Sequence, residues 1–208
     1  MKTTKKALLA LVCAVALVFG SVFATYAYLT STTGVVTNTF TVGNVTITLD
    51  EAAVDAYGKK IDITGNGSIG NEDRRTENTY KLIPGQTYVK DPTVHVASGS
   101  EDAWLFVKVE NGIADIEDAT TIENQMLADK TWTKVSNAEG VYAYKETVSA
   151  EDDIPVFATF TLKGDANVSA YENANIKVTA YAVQAAGFGT AADAGKDAPK
   201  SERSTAQA

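Results

Sequence analysis

The sequence predicts an all-β protein with one short helix, built as a two-sheet antiparallel sandwich. Three observations carry this expectation. Val45, Ile47 and Leu49 alternate with Thr46 and Thr48, the period-2 pattern of a half-buried strand. Turn-forming clusters of Gly, Asn, Asp and Pro recur between short apolar runs. Residues 104–109 are apolar on both parities, as a central strand covered on two faces must be.

Taken in order, Phe40 and Val42 sit on the parity opposite to Val45, and Gly43-Asn44 marks the bulge or bend that restores the facing. Residues 58–77 are rich in Gly, Asn and Asp and are read as loop. Residues 80–82 lead into Pro84-Gly85, a dipeptide suited to a type II turn. Pro92 opens a short strand that puts Val94 and Val96 on one face, with His95 between them pointing outward. Residues 118–130 place Ile122, Met126 and Leu127 at helical spacing, with acids early and Lys130 late, as a helix dipole favours. Strands follow at 141–148, 156–162 and 175–184, separated by turns at 137–140 and 150–153. Residues 191–208 are small and polar and are expected to form a disordered tail. About eight strands with little helix suggest a jelly-roll connection for the sandwich, over residues 37–190.

The N-terminus reads as a secretory signal over residues 1–27. Lys2, Lys5 and Lys6 precede an apolar run, and Thr25 and Ala27 place small residues at the −3 and −1 positions of a cleavage site before Tyr28. No Lys or Arg occurs between Lys6 and Lys59, so nothing basic stops transfer, and the chain is expected to meet the membrane only before cleavage. The one cysteine, Cys13, lies in that run, so the mature chain holds no thiol or disulfide. Residues 1–27 carry three of the 18 basic residues and none of the 26 acidic ones, leaving 15 against 26, a mature charge of −11. Such acidity argues against nucleic acid as a partner, since phosphate recognition needs a basic patch.

Little in the sequence suggests catalysis. His95 is the only histidine, so a His-Glu-x-x-His zinc motif is excluded, and no Gly-x-Ser-x-Gly elbow is present. His95 is read as a plain surface residue. The acidic pairs Glu101-Asp102 and Asp152-Asp153 fall in turns and read as solvated carboxylates. Residues 62–73 are the one stretch with metal-loop spacing. Asp62, Thr64, Asn66 and Asp73 put oxygen side chains at positions 1, 3, 5 and 12, with Gly67 at position 6. Against calcium stand a threonine at position 3, an Asp in place of the bidentate Glu, and the lack of flanking helices; a solvated loop is the alternative, and no other metal is expected. Trp104, Phe106, Tyr142, Tyr144, Phe157, Phe160 and Tyr181 are read as core and cross-strand packing.

Several blocks resemble a known family. The junction Ala24-Thr25-Tyr26-Ala27-Tyr28-Leu29-Thr30 is similar to signal peptides cut by the specialised SipW-type signal peptidase of Gram-positive bacteria. Residues 38–47 (NTFTVGNVTI) resemble the first mature segment of the TasA/camelysin family. The block Leu82-Ile83-Pro84-Gly85-Gln86, then Lys90-Asp91-Pro92, the strand 104–109 and the late strand 176–184 resemble later parts of the same family. The resemblance implies a secreted jelly-roll protein of the extracellular biofilm matrix or cell surface. It implies a fibre subunit or accessory that self-associates into filaments or co-assembles with a related fibre protein. It also implies donor-strand assembly, in which residues 28–36 leave their own subunit and add to the next; Tyr28, Leu29, Thr30, Ser31, Thr32 and Thr33 would begin that strand. The family's camelysin branch is described as a casein-cleaving metalloprotease, but no position here matches a zinc motif. Two alternatives stand beside the structural one: a secreted camelysin-like metalloprotease, and a calcium-dependent surface adhesin working through residues 62–73.

Overall fold

The computed structural model describes residues 44–136, 138–197 and 204–207. The signal cleavage residues Thr25, Ala27 and Tyr28, the donor segment 28–36, and Phe40 with Val42 lie outside the described residues.

Eleven strands are present among the described residues. A four-stranded sheet has the order β2-β1-β4-β8, with β1 Ile47–Ala52, β2 Arg74–Arg75, β4 Thr93–Val96 and β8 Asp153–Pro155. A five-stranded sheet has the order β11-β10-β5-β7-β6, with β5 Ala103–Asn111, β6 Trp132–Lys134, β7 Val141–Val148, β10 Ile176–Gln184 and β11 Ser204–Gln207. A two-stranded ribbon pairs β3 Thr87–Val89 with β9 Thr159–Thr161. All pairings are antiparallel. The expected all-β sandwich is what forms, and β5 is an interior strand of its sheet.

Alternation explains which side chains fill the core. Ile47 and Leu49 of β1 and Val94 and Val96 of β4 face Leu105 and Val107 of β5 and Val178, Ala180 and Ala182 of β10 in one continuous cluster. The ribbon closes one side of it. Tyr88 and Phe160, direct partners across β3 and β9, stack at 4.7 Å with an 11° interplanar angle. Tyr80 meets both rings edge-on, at 5.8 Å and 5.2 Å. Gly58 lies so close beneath Tyr88 that a Cβ there would sit 2.8 Å from the Tyr88 Cα, and its φ of +77° suits glycine alone. The Pro84-Gly85 turn forms as expected, with Gly85 at φ +77° and the Gln86 N–H donating to the Ile83 carbonyl at 3.2 Å.

The helix expected over 118–130 is shorter. It runs as α1, Ile122–Leu127, and a 3-10 turn Ala128–Lys130 continues it. Thr121 sets the start: its side chain accepts the Asn124 N–H at 3.1 Å and so caps the first turn. Ile122 and Met126, four apart, are both buried.

Residues 191–208 were expected to form a disordered tail, yet two elements fall there. A second helix, α2 Ala191–Asp197, packs Ala194 onto the outer face of the five-stranded sheet beside Phe106, Ala143 and Val183. Strand β11 pairs with β10. Composition hid both for one reason. Alanines let a helix backbone approach a sheet closely, and strand pairing uses backbone groups that every residue carries. The outer apolar row of β5 is explained by this cover.

Candidate functional site

The densest arrangement of charge lies on the outer face of the four-stranded sheet. His95 of β4 sits there with Asp50 of β1, Asp153 of β8 and Arg74 of β2 around a shallow hollow of about 500 Å³. The His95 Nδ1 is 2.5 Å from Asp153 Oδ1, and its Nε2 is 3.0 Å from Asp50 Oδ1. Asp50 is also ion-paired with the Arg74 Nε. Arg74 Nη2 donates to the carbonyls of Asp50 and Asp91, each at 3.1 Å. Asp91 accepts the Ala52 N–H at 2.7 Å and the Lys60 ammonium at 2.8 Å.

The result is a ladder of polar and ionic contacts that crosses the sheet and ties the 58–60 segment to it. Carboxylates only accept, so both contacts of His95 are hydrogen bonds when both ring nitrogens carry protons. Neither nitrogen is open to a substrate. The outward facing expected for His95 holds, but the residue is a half-buried clasp between two strands rather than a plain surface group. Its partners share the outward parity of their strands: Asp50 follows Thr46 and Thr48 on β1. That parity was readable; the pairing across three strands was not.

The 62–73 loop folds inward on itself. Asp62 accepts N–H groups from Gly65 at 2.6 Å and Gly67 at 2.7 Å, and the Thr64 hydroxyl at 3.1 Å. Asp73, with 1% of its surface exposed, accepts from Ile63 at 2.7 Å, Thr64 at 3.1 Å and Gly70 at 3.0 Å. Asn66 donates to Glu72 at 2.6 Å, and its Oδ1 accepts the Ser68 N–H at 2.8 Å. A cation at these residues would have to compete with amide protons for the same lone pairs. Among the described residues, no group of three or more His, Cys, Asp or Glu side chains converges to hold a metal.

These amide contacts set a measurable pH dependence. The Gly67 N–H above all holds Asp62 below its ordinary value of 3.8, against desolvation, with Gly65 and Thr64 adding to it. Asp73 is lowered chiefly by the Gly70 N–H, again against desolvation, with Ile63 and Thr64 assisting. A folded-state value below the unfolded one means the loop's contribution is complete above about pH 4 and is lost as pH falls through the lower folded value. The amide resonances of Gly65, Gly67 and Gly70 are expected to titrate together with a midpoint below 3.8. A midpoint at or above that value would show that the carboxylates do not accept those bonds.

Other candidates resolve into structure. Asp152 accepts the Ser149 N–H at 2.7 Å, and Asp102 accepts the Ser149 hydroxyl at 2.8 Å, so these turn carboxylates fasten the 149–152 turn. Phe106, Tyr142, Phe157 and Phe160 are buried; Trp104, Tyr144 and Tyr181 are partly covered against the two apolar clusters. Tyr142 gives its hydroxyl to Glu123 at 3.0 Å, and burial pushes it up to about 12. Glu117 is buried with both oxygens engaged, by Asn111 at 2.7 Å and the Ile122 N–H at 3.0 Å, and burial raises its carboxyl above the usual range.

One feature escapes sequence reasoning altogether: the edge of β10. All nine of its residues pair with β5 on one side, and on the other Thr179, Ala180, Tyr181 and Ala182 pair with Gln207, Ala206, Thr205 and Ser204. The edge therefore takes up the next strand of its own chain, which follows after a 19-residue connection and covers only four of the nine β10 residues. Comparison with protein-family models, with characterised proteins and with solved structures finds no match to this chain.

Proposed function

We propose that this is a secreted structural protein of the extracellular biofilm matrix, a fibre subunit or accessory that assembles by donation of residues 28–36 to a neighbouring subunit. The observation that carries the proposal is the β10 edge, where a four-residue strand, β11, pairs with only part of a nine-residue one. Strand addition draws its affinity from backbone hydrogen bonds and its register from alternate side chains. A head-to-tail contact of this kind does not close on itself, so it extends into a filament. The sequence resemblance to the TasA/camelysin family supports the same assignment, and so does the N-terminal segment's content. Residues 28–36 (YLTSTTGVV) are uncharged, with apolar anchors at both ends. The side chains that pack the described residues serve the sandwich itself, and the single histidine is engaged at both nitrogens.

A synthetic peptide of residues 28–36 provides the test. Added in excess to growing filaments, it is expected to occupy acceptor edges and halt extension, while a peptide of the same composition in scrambled order leaves growth unchanged. Equal growth with both peptides would refute donation by this segment.

A further inference from the structure

We propose that β11 is a removable cap on the β10 edge, and that on its departure the same edge receives residues 28–36 of a second copy. This rests on the strand-addition function above and adds its control.

The cap is small. It is four residues long and answers only Thr179–Ala182 of a nine-residue strand. By sequence it is Ser-Thr-Ala-Gln, and it pairs with β10 through backbone groups. The proposed replacement is longer and more apolar. Residues 28–36 number nine, the length of β10, and carry Tyr28, Leu29, Val35 and Val36. More ladder bonds and more buried apolar surface favour the incoming strand, contact for contact.

What the cap has instead is proximity. α2 is docked on the outer face of the same sheet through Ala194, and its last residue, Asp197, lies seven residues before Ser204, where β11 begins. An intramolecular competitor acts at a fixed high effective concentration, whereas a neighbour's segment acts at the protein concentration. The cap therefore prevails in dilute solution and yields as subunits accumulate. It also covers an edge that would otherwise pair indiscriminately.

Residues Thr179 and Gln207 face one another across β10 and β11. Facing residues of an antiparallel pair lie about 4.5–5.5 Å apart, within disulfide range. In a chain beginning at Tyr28, the pair Thr179→Cys and Gln207→Cys is expected to form an intramolecular disulfide in dilute solution. Filament extension by this oxidised form is expected to be at least about tenfold slower than after reduction, the cap being unable to leave. Failure of the disulfide to form within one chain, or equal extension with the cap locked and unlocked, would overturn the cap while leaving strand addition intact. If the reduced form and the unsubstituted chain both fail to extend, strand addition itself is refuted, and the cap with it. Filaments from a chain beginning at Asn38 that carries Ala206→Pro would show β10 edges pairing with each other and would overturn the choice of occupant.

Discussion

Replacing Tyr88 by alanine is expected to destabilise the protein by about 4 kcal/mol, the upper part of the range for removing a large aromatic from a core. Tyr88 is fully buried, stacks on Phe160 and supports Tyr80 edge-on. Its hydroxyl also does backbone work: it donates to the Lys81 carbonyl at 2.7 Å and accepts the Ile83 N–H at 2.6 Å. Truncation thus opens a cavity beside the ribbon and leaves two backbone groups of the 81–83 segment without partners. For a domain of this size, 4 kcal/mol corresponds to a fall in Tm of about 8–16 °C. Tyr88→Phe keeps the stack and loses only the hydroxyl, so about 1–3 kcal/mol is expected. Thermal unfolding of the two variants separates these contributions. Equal losses would mean that the hydroxyl, not the ring, dominates.

Lys90→Ala is the second large effect. Lys90 donates to Glu51 at 2.6 Å, with 9% and 1% of the two side chains exposed. Asn78 donates to the other Glu51 oxygen at 2.9 Å, and its own Oδ1 accepts the Val54 N–H at 3.0 Å. Removing the lysine strands a carboxylate at the end of the core, which costs about 3–5 kcal/mol. Replacing both partners, Glu51→Leu with Lys90→Leu, removes the charge and its penalty together and is expected to recover most of that loss. Chemical denaturation of the single and double variants decides the matter. A double variant as unstable as Lys90→Ala would show that the pair contributes more than mutual neutralisation.

The same pair illustrates what the sequence makes readable. Ile47 and Leu49 announce an inward row on β1, and the parity carries on to Glu51, whose burial follows from it. Periodicity alone says that Glu51 points inward; it cannot say that Lys90, thirty-nine residues later, comes to meet it. Local rules likewise recovered the Pro84-Gly85 turn, the β4 row of Val94 and Val96, and a helix carrying Ile122 and Met126, because each depends on residues within a few positions. They shortened poorly at the helix start, where Thr121 decides the boundary by one side-chain bond. The 62–73 loop shows the converse. Oxygen spacing there matches a metal loop in one dimension, whereas in three dimensions the carboxylates of Asp62 and Asp73 turn to their own backbone. The charge ladder through His95 joins segments far apart in the chain, and β11 meets β10 across a 19-residue connection. Neither has a local signature, since pairing of an edge needs only backbone groups.

The central claim is that residues 28–36 drive assembly by adding to a neighbour. Negative-stain electron microscopy of two purified forms, one beginning at Tyr28 and one at Asn38, incubated at the same high concentration, tests it most directly. Strand addition predicts filaments from the first form and dispersed monomers from the second. Filaments of equal length and number from both, or monomers from both, would contradict it.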